Sequence, residues 1–435
     1  MALGGGVFSV QNKVLPGTYI NFVSIAKASA TLGDRGYVAM GLELDWGSEN
    51  EVMTITTAEF QKNSTKLCGY DYGHDKLKDL RELFANAQTL YAYRLNSGGA
   101  KASNTFATAK FAGIRGNDLK VAITKNIDDD TKFDVVLLLG TSKVDTQTVG
   151  AITELVGNDF VDWKTSATLA ETAATPLNGG TNGTVDGAAH QGFLDKIEAY
   201  SYNILAVAAT DEPIKGLYIN FAKRMRDEVG AKFQLVFHNK AADFEGVINV
   251  KNKVADTGAA ESSLVYWVAG LQASCPVNKS CLNRKYDGEY TVDTNYTQAQ
   301  LIAAIKAGEF ALHRVGADVR VLSDVNSLVT TSDTKGDVFK ENQTIRVIDQ
   351  IANDIATLFN TKYLGVVPND AAGRISLWAD IVKHHEQLQD IRAIESFSDK
   401  DVTVEQGDTK KAVLVNDKIT VVNAMAQLYM IVKVA

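Results

Sequence analysis

Hydrophobic and polar positions follow a helical period near residue 80 and a strand-like pattern on either side of it. Apolar residues recur every three or four positions there, which predicts a helix with one buried face: Leu77, Leu80, Leu83, Phe84 and Ala87. The segments YVAMGLEL before it and TLYAYRL after it are short apolar runs typical of buried strands. This part of the chain therefore predicts mixed α/β structure.

The helical period disappears in residues 101–184. The apolar stretches TFATAKFAG, DLKVAITKN, FDVVLLLG and SKVDTQTV stand between glycine and aspartate turns, which predicts a small all-β module. The glycine-rich segment TPLNGGTNGT closes the module and is typical of a linker.

Strands and helices alternate again from residue 185. The segments NILAVAA, FQLVFH and GVINVKN predict strands between helices, an order that implies a parallel sheet. One helix has clear ends, because Asp211 suits an N-cap, Pro213 falls in the first turn and Gly230 suits the stop. The all-β module is therefore predicted to be inserted into an α/β body.

The last hundred residues predict two helices followed by β structure. The segment KKAVLVNDKITVV is typical of a hairpin that turns at Asn416 and Asp417. The chain then ends on a strand-like alternation. One face carries Leu428, Met430, Val432 and Val434, and the other carries Gln427, Tyr429, Ile431 and Lys433. Such a strand needs a sheet to pair with, and the alternation alone does not say whose sheet it is.

These patterns predict an α/β (α+β) multidomain protein with an inserted all-β sandwich. The expected segments are an N-terminal arm, a first part of the α/β body, the inserted module, a second part of the body and a C-terminal domain: 1–32, 33–100, 101–184, 185–340 and 341–435.

Composition narrows the classes of protein that fit. The chain has 435 residues, 45% hydrophobic and 22% charged, with a formal net charge of -8, which gives no electrostatic reason to bind nucleic acid or anionic membranes. Three cysteines cannot form a full disulfide framework and fit synthesis in a reducing compartment.

No run approaches the ~18 apolar residues of a membrane span, and the first residues do not resemble a signal peptide. We expect synthesis and folding in the cytoplasm.

Candidate chemistry is sparse. His384 and His385 are adjacent in a helical pattern, where neighbours point about 100° apart, so a solvated or interface face is favoured over a metal site. The acidic run at 128–130 lacks the spacing of a calcium loop and favours an exposed turn. Glu43 and Asp45 could flank a cleft, but nothing marks them as a catalytic pair. We predict no catalytic residue, metal or cofactor.

A nucleotide- or metal-dependent hydrolase on the α/β body of residues 190–340 is the alternative. It is disfavoured because the chain has no phosphate-binding loop, no nucleophile elbow and no HExxH motif.

Several segments, in order over nearly the whole chain, resemble contractile phage tail sheath proteins of the kind found in phages and phage-tail-like bacteriocins of Gram-positive bacteria. They are LPGTYINF, GLELDWGSENEV, LYAYRLNSGGAKA, AGIRGNDLKVAI, TPLNGGTNGT, KYDGEYTVD and NAMAQLYMIVKV. The resemblance implies a structural subunit that stacks in six-fold rings as a helical sleeve around a tail tube. Contraction of the sleeve would drive the tube through the target envelope. The implied partners are other copies of the chain, the tube protein, and the baseplate and tail terminator proteins, without direct contact to nucleic acid or membrane.

The resemblance also implies an inner domain whose sheet is completed by terminal strands of neighbouring subunits. Carried onto this sequence, the exchanged segments run from Val7 to Leu15 and from Leu428 to Val434. Their expected pairing residues are Val7, Phe8, Val10, Val14, Leu428, Tyr429, Met430, Ile431, Val432 and Val434.

A helix of the same domain is expected to face the tube, with these candidates: Lys383, His384, Glu386 and Arg392. Assembly is expected in the host bacterial cytoplasm, as part of a virion tail or of a released bacteriocin particle.

Overall fold

The computed structural model describes residues 32–434, and it confirms the predicted α/β multidomain fold class. The first described elements belong to a seven-stranded sheet and its covering helices. They are β1 (Tyr37–Leu42), β2 (Val52–Thr56), α1 (Thr57–Cys68), α2 (Lys78–Phe84) and β3 (Thr89–Arg94). The apolar face predicted around α2 is confirmed, since Leu77, Leu80, Leu83, Phe84 and Ala87 are all buried.

The next segment forms two small antiparallel sheets around a common core, as the loss of helical period predicted. One sheet has the strand order β7-β6-β5-β9 and the other pairs β4 with β8. Alternate side chains of β5, Leu119, Val121 and Ile123, are fully buried in that core. The strands are β4 (Ala107–Ala109), β5 (Leu119–Lys125), β6 (Phe133–Leu139), β7 (Ser142–Val149), β8 (Val161–Trp163) and β9 (Thr172–Pro176).

The chain then returns to the first sheet, so the β module is an insertion in the α/β body. The added elements are α3 (Gly187–Ile197), β10 (Ile204–Val207), α4 (Glu212–Lys223), β11 (Gln234–His238), β12 (Val247–Val250), α5 (Leu264–Ser274), α6 (Gln298–Lys306), β13 (Glu309–Phe310), β14 (Leu312–Val315) and β15 (Asp318–Val321). The sheet order is β13-β12-β11-β10-β1-β3-β2, and every neighbouring pair is parallel except β3 with β2. Helices α3 and α4 cover one face of this sheet, and α2 and α5 cover the other.

The predicted ends of the helix after residue 211 are confirmed. The Asp211 carboxylate accepts a hydrogen bond from the amide of Ile214 at 3.3 Å, as an N-cap does. The helix continues past α4 as a π-helical turn, Arg224–Val229, and stops at Gly230 in the left-handed conformation (φ 94°).

The C-terminal domain contains two helices and two short antiparallel ribbons: α7 (Asn342–Leu358), α8 (Ala371–Asp390), β16 (Ile394–Glu395), β17 (Val402–Gln406), β18 (Val413–Asp417) and β19 (Thr420–Val421). β17 pairs with β18, and β16 pairs with β19.

The hairpin predicted at Asn416 and Asp417 is wrong. Both residues lie inside β18, and Asn416 is opposite Thr403 of β17. The turn comes earlier, where the amide of Gly407 donates to the carbonyl of Ala412 at 2.9 Å. Asn-Asp has turn chemistry, but pairing of Val404 with Val415 places it in the strand instead.

Two buried ion pairs fix the C-terminal domain to the α/β body, and both involve α7. Arg346 lies 3.4 Å from the carboxylate of Asp324, and each side chain is 1% exposed. Arg226 forms a bidentate ion pair with Asp349: its Nη1 lies 2.6 Å from Oδ2, and its Nη2 lies 2.8 Å from Oδ1. Because each of these pairs joins a charge in α7 to an opposite charge in the body, the two units are held in one orientation.

Helices α2 and α5 cross so closely that only glycine fits at their contact. A Cβ added at Gly270 would lie 2.3 Å from the carbonyl oxygen of Leu83, which is backbone and cannot rotate away. We predict that Gly270→Ala lowers the free energy of unfolding by about 1–3 kcal/mol, as overpacking does. The measurement is urea unfolding of the unassembled chain.

Gly216→Ala is the matched control. Gly216 lies within α4, and an added Cβ there meets no atom within 4 Å. The better helix propensity of alanine should then raise the free energy of unfolding by about 0.5–1 kcal/mol. Equal effects of the two substitutions would contradict the account of the α2–α5 contact.

Candidate interface at the C-terminal segment

The last described residues, 425–434, form an exposed segment that we call the C-terminal tail. No helix or strand forms in it, and no backbone hydrogen bond joins it to the rest of residues 32–434. Its apolar side chains are open to solvent: Leu428, Met430, Val432 and Val434 are 68–92% exposed, and Tyr429 and Ile431 are 86% and 88% exposed.

Such a row of large apolar groups is unusual on the surface of a single folded chain. Burial of each of these side chains would contribute about 1.5–3 kcal/mol of favourable free energy relative to exposure. The described chain does not gain this free energy, because the side chains stay in solvent. Contiguous exposed apolar surface of this kind marks an interaction site. The tail is therefore the strongest interface candidate in the described part of the chain.

The residues just before the tail are held in place by hydrogen bonds. The amide of Val422 donates to the carbonyl of Ala393 at 3.0 Å, beside the β16–β19 ribbon. The side chain of Gln343, buried at the start of α7, donates to the carbonyl of Val422 at 3.0 Å and accepts from the amide of Ala424 at 2.9 Å. The tail therefore leaves the domain at a fixed point.

The same domain also offers unpaired strand edges. The ribbons β16–β19 and β17–β18 have two strands each, and no third strand of the described residues pairs with either. Open edges present backbone donors and acceptors that an added strand can satisfy. One domain thus combines a free apolar segment with edges that can receive one.

The prediction that His384 faces a partner is wrong, because the structure buries this side chain to 1% exposure. Its Nε2 lies 3.0 Å from Asp354 of α7, and Asp354 also accepts from the amide of Gly33, near the start of the described residues. Its neighbour His385 is also buried, and its Nε2 lies 2.8 Å from Asp417 in β18.

Both histidines point inward because α8 packs between α7 on one side and the β17–β18 ribbon on the other. No group of three or more His, Cys, Asp or Glu side chains suited to a metal occurs in residues 32–434. Sequence reasoning missed these contacts since Asp354 and Asp417 are distant in the chain and carry no local motif.

The roles of the other predicted site residues stay predictions. Lys383 and Glu386 lie exposed on the outer face of α8, and Arg392 lies exposed just after it. Val7, Phe8, Val10 and Val14 lie outside the described residues.

Asp45, which the sequence analysis weighed with Glu43 as a pair of carboxylates flanking a cleft, has a structural role. It accepts from the hydroxyl of Tyr70 at 2.7 Å and from the amide of Asn182 at 2.9 Å, which ties the end of the β module to the body. Burial raises the pKa of Asp45, but these hydrogen bonds outweigh burial and leave the pKa below its usual value. Glu43 is exposed and makes no pair with it.

No helix within residues 32–434 combines the length and the apolar character needed to cross a bilayer.

Four sequence families of phage tail sheath domains match consecutive parts of the chain. They are the tail sheath protein Gp18 domain III N-terminal region (35–95), the phage tail sheath protein beta-sandwich domain (97–182), the phage tail sheath protein central domain (183–327) and the phage tail sheath C-terminal domain (334–435).

Whole-chain relatives agree with these matches. The sheath tail protein of Desulfitobacterium hafniense has a solved structure with 38% identity and a TM-score of 0.79, covering 90% of this chain and 93% of that one. The phage-like element PBSX protein XkdK of Bacillus subtilis is 30% identical over 99% of this chain and 100% of its own length. The sheath of an extracellular contractile injection system, solved in its contracted state, shares the fold (TM-score 0.56, 13% identity, 98% of each chain).

The exposed apolar tail and the open ribbon edges in the described part of the chain are features of a subunit of a larger assembly. The chain belongs to the phage tail sheath protein family. This family is structural, and nothing in the comparisons supports the hydrolase alternative.

The hold on the start of the tail can be tested at Gln343. Gln343→Ala removes the acceptor of the Ala424 amide, so we predict faster hydrogen exchange at that amide in the unassembled chain. Gln343→Glu keeps an oxygen at the same place and should leave the Ala424 amide protected. Equal exchange rates in both variants would show that another group holds the tail.

Proposed function

We propose that the chain polymerises into a helical sleeve around a tail tube, and that its C-terminal tail adds a strand to a neighbouring subunit. The exposed apolar row of Leu428, Met430, Val432 and Val434 carries this proposal, because it has no cover in residues 32–434. Strand addition would pair the tail backbone and bury both faces, which also accounts for the apolar Tyr429 and Ile431 on the second face.

The geometry suits an open polymer. Each subunit would donate one tail and receive another at a different surface, so the contact is heterologous, and repetition of such a contact builds a helix instead of a closed dimer. The segment from Val7 to Leu15 would donate a second strand in the same way. Two donated strands per subunit would link neighbours as a mesh.

The five predicted segments would then have distinct roles. The arm (1–32) and the C-terminal domain (341–435) would form the inner layer, the α/β body (33–100 and 185–340) the middle layer, and the β module (101–184) the exterior. The exposed Lys383, Glu386 and Arg392 would face the tube.

Contraction would follow from stored packing energy. The extended sleeve would be a metastable arrangement, and a trigger from the baseplate would exchange one set of subunit contacts for a larger one. Donated tails would keep neighbours attached while the bodies rearrange, and the tube would be driven through the target envelope. The tail terminator protein would cap the end of the sleeve that lies opposite the baseplate.

Assembly would take place in the host cytoplasm, and the sleeve would become part of a virion tail or of a released particle.

Removal of the tail should separate folding from assembly. We predict that a chain lacking residues 426–435 keeps the Tm of the unassembled subunit, since no backbone hydrogen bond joins 425–434 to the rest of the described chain. The same chain should fail to form sleeves in sedimentation and electron microscopy. Sleeves of normal length from the truncated chain would contradict strand addition.

A point variant provides the matched comparison. Met430→Pro removes a backbone donor and fixes φ, which strand pairing does not tolerate, whereas Met430→Ile keeps both the donor and the apolar bulk. Only the proline variant should lose assembly.

Charge reversal tests the tube-facing surface. We predict that Lys383→Glu weakens association of sheath with tube, and that the loss is greater at low salt than at high salt because exposed charges are screened by ions. Lys306→Glu, at an exposed position of α6 in the body, is the control and should have no effect. A loss that does not depend on salt, or an equal loss in both variants, would remove Lys383 from the tube contact.

A further inference from the structure

A cavity of about 300 Å³ lies at the carboxyl ends of β1 and β10, two neighbouring parallel strands of the seven-stranded sheet. After β1 the chain continues to α1 and α2 on one face of the sheet, whereas after β10 it continues to α4 on the other face. Because the two connections diverge, a crevice remains between them, lined by Gly41 and by residues 206–209. Open α/β sheets bind small ligands in crevices of this kind.

Two polar side chains line the cavity without using all their hydrogen-bonding atoms. His190 of α3 is 5% exposed, and its Nδ1 lies 2.9 Å from the hydroxyl of Tyr218 in α4. Its Nε2 has no hydrogen-bond partner in residues 32–434. The hydroxyl of Tyr266, which comes from α5 on the opposite face of the sheet, has no partner there either. Since buried polar groups are normally paired, these two atoms are available to a polar ligand.

The charged side chains that line the cavity are all acidic. They are Glu43, exposed just after β1, and Asp79 of α2, and no described lysine or arginine lines the cavity with them. Asp79 accepts a hydrogen bond from the hydroxyl of Tyr290 at 2.9 Å. The adjacent Lys78 is paired elsewhere, 3.7 Å from the carboxylate of Asp256. The cavity therefore presents negative charge without a counter-charge in its lining.

The buried groups support a site for a cation. Burial raises the pKa of Asp79, and its hydrogen bonds and the charge of Lys78 do not offset this effect. Burial lowers the pKa of His190, so its imidazole is neutral at pH 7 and adds no positive charge. Ser262 and Ser263, just before α5, also line the cavity. A helix N-terminus carries only about half a positive charge, which is less than two carboxylates carry together.

We propose that this cavity binds a small organic ammonium ion, such as a primary amine or a diamine. The ammonium group donates hydrogen bonds to the carboxylate of Asp79 and to the hydroxyl of Tyr266, and the ring of Tyr266 adds a cation–π contact. Glu43 holds the second ammonium group of a diamine at the exposed side of the cavity. The ligand links α2 to α5 and stabilises the body without any reaction. This role is independent of strand addition by the C-terminal tail.

The test is calorimetric titration of the unassembled full-length chain with the diamine putrescine, together with its Tm. We expect saturable binding and a Tm that rises with putrescine concentration, because a ligand that binds only the folded chain stabilises it. The uncharged diol of the same chain length should not bind. Inorganic phosphate should not bind either, and it tests whether the first turn of α5 attracts an anion instead.

Two variants locate the site. Asp79→Asn keeps the shape of the side chain and should weaken putrescine binding about tenfold or more. Glu43→Gln should weaken it less, because Glu43 is exposed and its charge is screened, and this surface change should leave the fold intact. Asp130→Asn makes the same change of charge at an exposed turn of the β module and should bind putrescine as the natural chain does.

Four results would overturn the proposal. They are no heat and no rise in Tm with putrescine at millimolar concentration, equal binding of the diol or of phosphate, full affinity in both cavity variants, and an equal loss in Asp130→Asn.

Discussion

The buried ion pairs of helix α7 are the constraint on which the rest of the structure depends. Arg346 pairs with Asp324 and Asp349 pairs with Arg226, so α7 cannot leave the α/β body without exposing unpaired charges inside the protein. Loss of one partner from such a pair costs about 3–5 kcal/mol. The rigid junction matters for function because α7 also carries Gln343 and Asp354, which hold the start of the tail and Gly33.

A rigid core with an exposed C-terminal tail is what the proposed strand addition requires. Energy released by contacts between subunits can move whole bodies only if each body transmits force without unfolding. In the proposed mechanism the tail stays bound while the bodies move, which backbone pairing would allow because it does not depend on how the bodies pack. The buried histidines serve the rigid part: His384 connects α8 to Asp354, and His385 connects it to Asp417 in the ribbon.

Much of the fold could be predicted from the sequence because periodicity reports burial directly. The face around Leu83, the short strands of the β module and the cap at Asp211 each carry a local signal, and each was confirmed. The error at Asn416 arose where cross-strand packing overrode turn chemistry. The inward position of His384 had no local signal, since its partner Asp354 is thirty residues away. The alternation of the tail was visible in the sequence, but only the family resemblance suggested that a neighbouring subunit receives it.

The most direct test of this account is a cryo-electron microscopy reconstruction of the assembled sleeve, at a resolution that shows the main chain. The account predicts that residues 428–434 of each subunit form a strand paired to a ribbon edge in the C-terminal domain of a neighbour, with both faces covered. A sleeve in which these residues pair with their own domain, or stay exposed, would contradict it.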